Sequence, residues 1–218
     1  MKKSKLILLT LLGLLFFNSC KDEEVEKPSP YQTITTLKSI TGISFEEAQL
    51  KLGNLGYAFS ESQTPSQDFI IHTFESNFNS NKYLILEANN KIFNCAYIAA
   101  ADKNLALNGF EKYSAECIAY MTGKAHQYKG VTSFIEEEES TFATHQEFAN
   151  YYVANKYDLQ TCIEAWETNK DGVSSQYSVP NIISESFMSI LIYADFEYTP
   201  ESMLNKDLIL KNILSTIK

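Results

Sequence analysis

The sequence predicts an α+β fold, with helices packed on antiparallel sheet. Three observations carry that class. Runs of β-branched and aromatic residues extend from Tyr57 to Ala99 and again from Leu159 to Tyr198. Turn signals divide these runs, most clearly Asn89-Asn90 and Asn169-Lys170-Asp171-Gly172. Two stretches of helical spacing are each announced by a cap, Ser44-Phe45-Glu46-Glu47 and Thr144-His145-Gln146-Glu147.

Taken in order, Gln32 to Ile40 alternates only weakly and assigns itself to no element. Ser44 is an N-cap with Glu47 placed to reach back. Phe45, Ala48, Leu52 and Leu55 follow at helical spacing, and Gly56 supplies the stop. Tyr57 to Ser62 and Asp68 to Glu75 read as strands around the turn Thr64-Pro65-Ser66. Lys82 to Glu87 and Lys91 to Ala99 form a hairpin about Asn89-Asn90, residues that tolerate φ > 0. Leu107 to Tyr120 is a helix with Phe110, Tyr113 and Cys117 along one side. Gly123 and Gly130 bracket a polar loop, Val131 to Ile135 is short and apolar, and Glu136 to Glu139 is an acidic run.

The second capped helix carries Phe148, Tyr151 and Tyr152 and runs to about Lys156. Leu159 to Thr168 alternates as a strand. Leu159, Thr161, Ile163 and Ala165 share one face, with Gln160, Cys162, Glu164 and Trp166 on the other. Val173 to Val179 pairs back. Ser184 to Tyr198 is the most strand-like segment, with Met188, Ile190, Ile192, Ala194 and Phe196 on one face. Thr199-Pro200-Glu201 opens a last helix whose stripe includes Met203, Leu210, Leu214 and Ile217. Ser44 to Tyr57 and Thr144 to Tyr157 are the same length, each a capped helix that ends in tyrosine and enters a strand run. Candidate halves are therefore residues 32–105 and 142–218. Identity between them is low, so duplication and coincidence both stand.

The N-terminus is of a different kind. Met1 to Lys5 is basic, and Leu6 to Phe17 is apolar but shorter than the roughly 20 residues a membrane span needs. Asn18-Ser19-Cys20 follows, then Lys21-Asp22-Glu23-Glu24. This resembles a bacterial lipoprotein signal peptide over residues 1–19, with Cys20 as the acylated, palmitate-bearing mature N-terminus. The acidic burst resembles the export signal that sends lipoproteins of Bacteroidota to the outer face of the outer membrane. The resemblance implies a membrane partner held through lipid on Cys20 and a surface-exposed protein, a periplasm-facing one being the alternative. Residues 20–31 would be a tether of about 35 Å at most, and residues 32–218 the globular domain.

Composition narrows the function. All 18 basic residues are lysine, against 27 acids, and removal of the first 19 residues leaves a net charge of −12. An acidic chain without arginine argues against nucleic acid and anionic membrane surfaces as partners. No Gly-rich phosphate loop is present and no cofactor is implied. Cys95, Cys117 and Cys162 are too few for a disulfide framework; buried thiols are expected, with at most one bridge.

Candidate sites are sparse. His72 lies in an apolar strand and reads as structural. His126, His145 and Glu136 to Glu139 have the chemistry of metal ligands but no diagnostic spacing, so no metal site is assigned. Glu167 to Gly172 is faintly similar to a calcium loop, yet its first position is Glu and its twelfth is Ser178, which favours a hairpin turn. No nucleophile motif is present, so no catalytic residue is assigned. Trp166 is the one candidate ligand-binding residue, as an aromatic surface for a sugar. The sequence thus favours a non-enzymatic, lipid-anchored binding module for a protein or glycan. An envelope hydrolase with carboxylates drawn from separate strands, and an inhibitor or immunity-type protein, are the alternatives.

Overall fold

The computed structural model describes residues 31–134, 139–181 and 186–200. The signal peptide, Cys20, most of the tether, nearly all of the acidic run and the last helix expected from the sequence lie outside these residues.

Four helices and nine strands are described: α1 (Ile34–Ile40), α2 (Phe45–Asn54), β1 (Tyr57–Gln63), β2 (Ile70–Ser76), β3 (Lys82–Ala88), β4 (Lys91–Ala101), α3 (Lys103–Met121), β5 (Gln127–Ser133), β6 (Ser140–Phe142), α4 (His145–Asn155), β7 (Thr161–Glu167), β8 (Asp171–Asn181) and β9 (Ser186–Asp195). The strands form one sheet in the order β1-β2-β3-β4-β9-β8-β7-β5-β6, antiparallel at every pairing. The fold is α+β. Its two ends are built by separate stretches of chain, β1–β4 from one side and β5–β9 from the other. They meet where β4 pairs with β9, from Asn94 opposite Ala194 to Ala101 opposite Phe187.

Local chemistry explains the elements. The Ser44 hydroxyl accepts from the Glu47 N–H and the Glu47 carboxylate accepts from the Ser44 N–H, so the box closes in both directions. At α4 the Thr144 hydroxyl accepts from the Glu147 N–H. Asn89 and Asn90 turn the β3–β4 hairpin at φ of 51° and 59°. The weakly patterned stretch near residue 34 is a helix. Thr33 caps it, and Ile34, Leu37 and Ile40 bury one face despite the short run of signal. The loop expected between Gly123 and Gly130 ends early, because β5 already begins at Gln127 and pairs with β7 through Ser133. Its polar side chains hid a strand that is half solvent-facing.

All four helices pack on one face. There α1, α2 and α3 cover Tyr57, Phe74, Tyr83, Ile85, Tyr97 and Tyr193, while α3 and α4 close over Cys162 and Tyr177. Gly109 of α3 permits the closest approach: a Cβ there would stand 2.4 Å from Ser189 Oγ and 2.9 Å from Ser189 Cβ on β9. The second face buries Ile71, Leu84, Leu86, Phe93, Ala96, Ile98, Ile190 and Ile192. None of the four helices contributes to that cluster. Cys95, Cys117 and Cys162 are free and buried, and burial pushes each thiol above its ordinary value. They are neutral packing groups rather than nucleophiles.

Gly109→Ala tests the helix–sheet contact by its sign. In an open helix this change stabilises by about 1 kcal/mol. Here the new methyl must displace α3 from β9, so urea unfolding is expected to show a loss of about 1–3 kcal/mol.

Candidate functional site

The polar groups of the domain converge at three places. The first is built on α4, β5 and β7. Strand alternation points Cys162, Glu164 and Trp166 toward the helices. Gly130 lies opposite Glu164, and a Cβ there would collide with Phe148 of α4 and the Tyr128 hydroxyl. The glycine therefore lets α4 settle and brings His145, in its first turn, onto the strand. Glu164 is 1% exposed and accepts three hydrogen bonds: from His145 Nδ1 at 2.6 Å, Ser114 Oγ at 2.5 Å and Tyr128 OH at 2.8 Å. Burial, then the adjacent Glu164, push the Tyr128 hydroxyl well above its ordinary value, so it stays a donor. The His145 ring packs near Tyr128 and Trp166, with centroids 6.2 Å from each.

Trp166 is 2% exposed and stacks edge-on against Tyr128. It is a wall of this cluster, and its ring is not offered to solvent. The reason is geometric: Trp166 shares the strand face of Cys162 and Glu164, which the helix layer covers.

The second cluster joins β1, β2 and β3. Ser62 Oγ lies 2.7 Å from His72 Nδ1, and Glu87 lies 2.8 Å from His72 Nε2. The His72 ring stacks on Phe45 at 4.2 Å. Both ring nitrogens are engaged and the residue is buried, in keeping with its structural reading. The third cluster sits at the β7–β8 turn. Asp171 accepts from Tyr120 OH at 2.5 Å and from Thr168 Oγ1 at 2.7 Å, with Lys124 at 3.8 Å. Burial alone would raise its carboxyl. The Tyr120 and Thr168 hydroxyls and the Lys124 and Lys38 ammonium groups outweigh that and hold it below its ordinary value. The Glu167–Gly172 stretch is thus a hairpin turn between antiparallel strands. Lys124 also rides over the Tyr120 ring, 3.3 Å from its centroid.

His126 is exposed and lies 2.8 Å from the Lys124 carbonyl through its Nδ1, while His145 is held on Glu164. Among the described residues, no group of three or more His, Cys, Asp and Glu side chains is arranged to hold a metal. None of the three clusters was visible from spacing. Their members come from separate strands and helices, Ser114 and Glu164 lying 50 positions apart and Tyr120 and Asp171 51, and they meet only in the folded sheet.

On the opposite face of β5 and β7 lies a groove of about 540 Å³. Val131, Ile163 and Ala165 form its floor, Thr141 of β6 borders one side, and Lys129 and Glu167 stand at its rim. Register puts Val131 beside Ile163 and Lys129 beside Ala165. The floor is aliphatic because these positions alternate with Tyr128, Gly130, Glu164 and Trp166 on the helix side. Comparison with known proteins returns no matching family model, no matching curated protein and no matching solved structure.

Two measurements check this geometry. Glu164→Ala removes the acceptor shared by Ser114, Tyr128 and His145. A loss of about 2–3 kcal/mol is expected in denaturant unfolding, with blue-shifted Trp166 emission giving way to a more solvent-exposed spectrum. The depressed carboxyl of Asp171 contributes stability that is present above its unfolded value, near 3.8, and is lost as pH falls through the lower folded value. Wild type should therefore exceed Asp171→Asn in stability at neutral pH, the gap closing as the pH drops below about 4.

Proposed function

We propose that the protein is a lipid-anchored binding module of the cell envelope, without catalytic activity, whose partner is a protein that seats an apolar segment in the β5–β7 groove. The groove's aliphatic floor is the observation that carries this reading. Val131, Ile163 and Ala165 offer surface for apolar side chains, whereas sugar rings are bound on exposed aromatic faces. Trp166, the aromatic a glycan would use, is turned into the core. The nature of the floor therefore favours a protein partner over a glycan.

The anchoring half of the proposal rests on the N-terminal residues. Cys20 is acylated, residues 1–19 are removed, and residues 20–31 tether the domain to the outer membrane, facing the cell exterior. More than one acyl chain is needed for stable anchoring, and a multiply acylated cysteine supplies them.

An envelope hydrolase is the second reading, favoured by one observation: a buried carboxylate holds the Nδ1 side of the half-exposed His145. That reading predicts an activity that His145→Ala abolishes.

A photo-crosslinking side chain placed at Thr141, beside the groove, is expected to capture a discrete partner in intact cells. Ala165→Glu should cut that capture by about a hundredfold or more, since burying a charge against an apolar segment costs several kcal/mol. A crosslink unchanged by Ala165→Glu, or a hydrolytic activity lost in His145→Ala, would overturn the binding reading. For the anchor, an alkyne-palmitate label should appear on the wild type and vanish from Cys20→Ala.

A further inference from the structure

We propose that the second face of the sheet, where β2, β3, β4 and β9 form it, is covered by the chain's own C-terminal segment, residues 201–218. The face holds eleven buried apolar residues from β2, β3, β4, β9 and the loops beside them, Phe93, Ala96, Ile98 and Ile190 among the least exposed in the domain. The four described helices all lie on the other face. Eleven apolar side chains of this kind left in water would make a patch larger than a monomer usually exposes. Something outside the described helices therefore excludes solvent from them.

The path of the chain selects the occupant. After β9 ends at Asp195, the Phe196 N–H donates to the Lys170 carbonyl. The Thr199 hydroxyl donates to the Asp195 carbonyl at 2.8 Å. Tyr198 packs against the second-face cluster itself. The last described residues thus place Tyr198 against the apolar face, and residues 201–218 follow directly. Even coiled at 1.5 Å per residue, 18 residues reach about 27 Å. The four strands beneath need about 15 Å at their usual spacing. The segment also has the right pattern: Met203, Leu210, Leu214 and Ile217 recur at helical spacing, with Lys206, Asp207 and Lys211 among the positions between.

The interior of this face adds a constraint. Asn94 is 1% exposed and, among the described residues, neither atom of its side-chain amide has a hydrogen-bond partner, and the same holds for the Gln176 side-chain oxygen. Such groups destabilise when dry and unpaired. They mark this face as one from which water is shut out.

The test uses the mature chain, residues 20–218, carrying Cys20→Ser so that it stays in solution. Leu210→Lys with Leu214→Lys is expected to raise fluorescence of the apolar probe ANS about fivefold, while Lys206→Glu with Lys211→Glu leaves it unchanged. Because the first pair risks unfolding the domain, a second measurement stands beside it. Cysteines at Ala100 and, in turn, Leu210, Leu214 and Ile217 are oxidised, and an intramolecular disulfide is read by mass spectrometry. Formation of that bridge within a monomer supports the proposal. ANS binding unaltered by the lysine pair, bridges at none of the three positions, or a dimer by light scattering whose bridges are intermolecular would each overturn it, the last by assigning the face to a second copy.

Discussion

Everything in this domain hangs on the pairing of β4 with β9. Eight register pairs run from Asn94–Ala194 to Ala101–Phe187, joining residues about a hundred positions apart in the sequence. Closing so long a loop costs entropy before any contact forms. The return lies in what the pairing brings together: Tyr97 and Leu191 on the helix side, Ile98 and Ile190 on the other, all nearly free of solvent. Without this seam the chain is two ragged sheets, each with an unprotected edge. With it, the outer edges are β1, interrupted by a bulge near Ser60, and β6, only three residues long. Both are forms that discourage further strand addition.

The helix layer follows from the seam. α3 crosses both halves of the sheet and contacts β4, β8 and β9, with Gly109 admitting it against Ser189. Its lower side presents Ser114 to Glu164 and Tyr113 to the tyrosine cluster. That cluster is unusual in its polarity. Tyr57, Tyr83, Tyr97, Tyr113 and Tyr193 are all fully buried, as is Tyr177 in the neighbouring cluster under α3 and α4. Asn81 donates to the Tyr97 hydroxyl at 2.7 Å, whereas the Tyr83 and Tyr177 hydroxyls have no hydrogen-bond partner among the described residues. Burial, then the adjacent Cys162 thiol, pushes Tyr177 up to about 12. Tyrosine here supplies large flat area for edge-to-face packing, as between Tyr57 and Tyr83 at 4.8 Å, at the expense of unpaired oxygen.

How much of this was legible in the sequence depends on the range of the interaction. The caps at Ser44 and Thr144, the Asn89-Asn90 turn and the alternation of β7 and β9 are local, and they read correctly. Residues 34–40 did not read, because a seven-residue helix held by three buried positions offers too short a period. The start of β5 hid behind Gln127 and Lys129, whose side chains face the groove instead of the core. The candidate sites read least well. Trp166 looked like a ligand surface because sequence gives the strand face but not which face the helices cover. Glu164 looked like any other acid, since its three donors arrive from α3, β5 and α4. The candidate halves, residues 32–105 and 142–218, leave out β5 and most of β6, and nothing local says that all nine strands join in one sheet.

The measurement that tests the seam most directly is equilibrium unfolding in urea followed at two sites at once. Trp166 is the sole tryptophan and reports the β5–β7 end through its fluorescence. Amide exchange of β2 and β3 reports the other end. A sheet sealed at β4–β9 unfolds as one cooperative unit, so the two midpoints coincide. Two separated transitions, one for each end, would contradict a single continuous sheet and restore the picture of two independent halves.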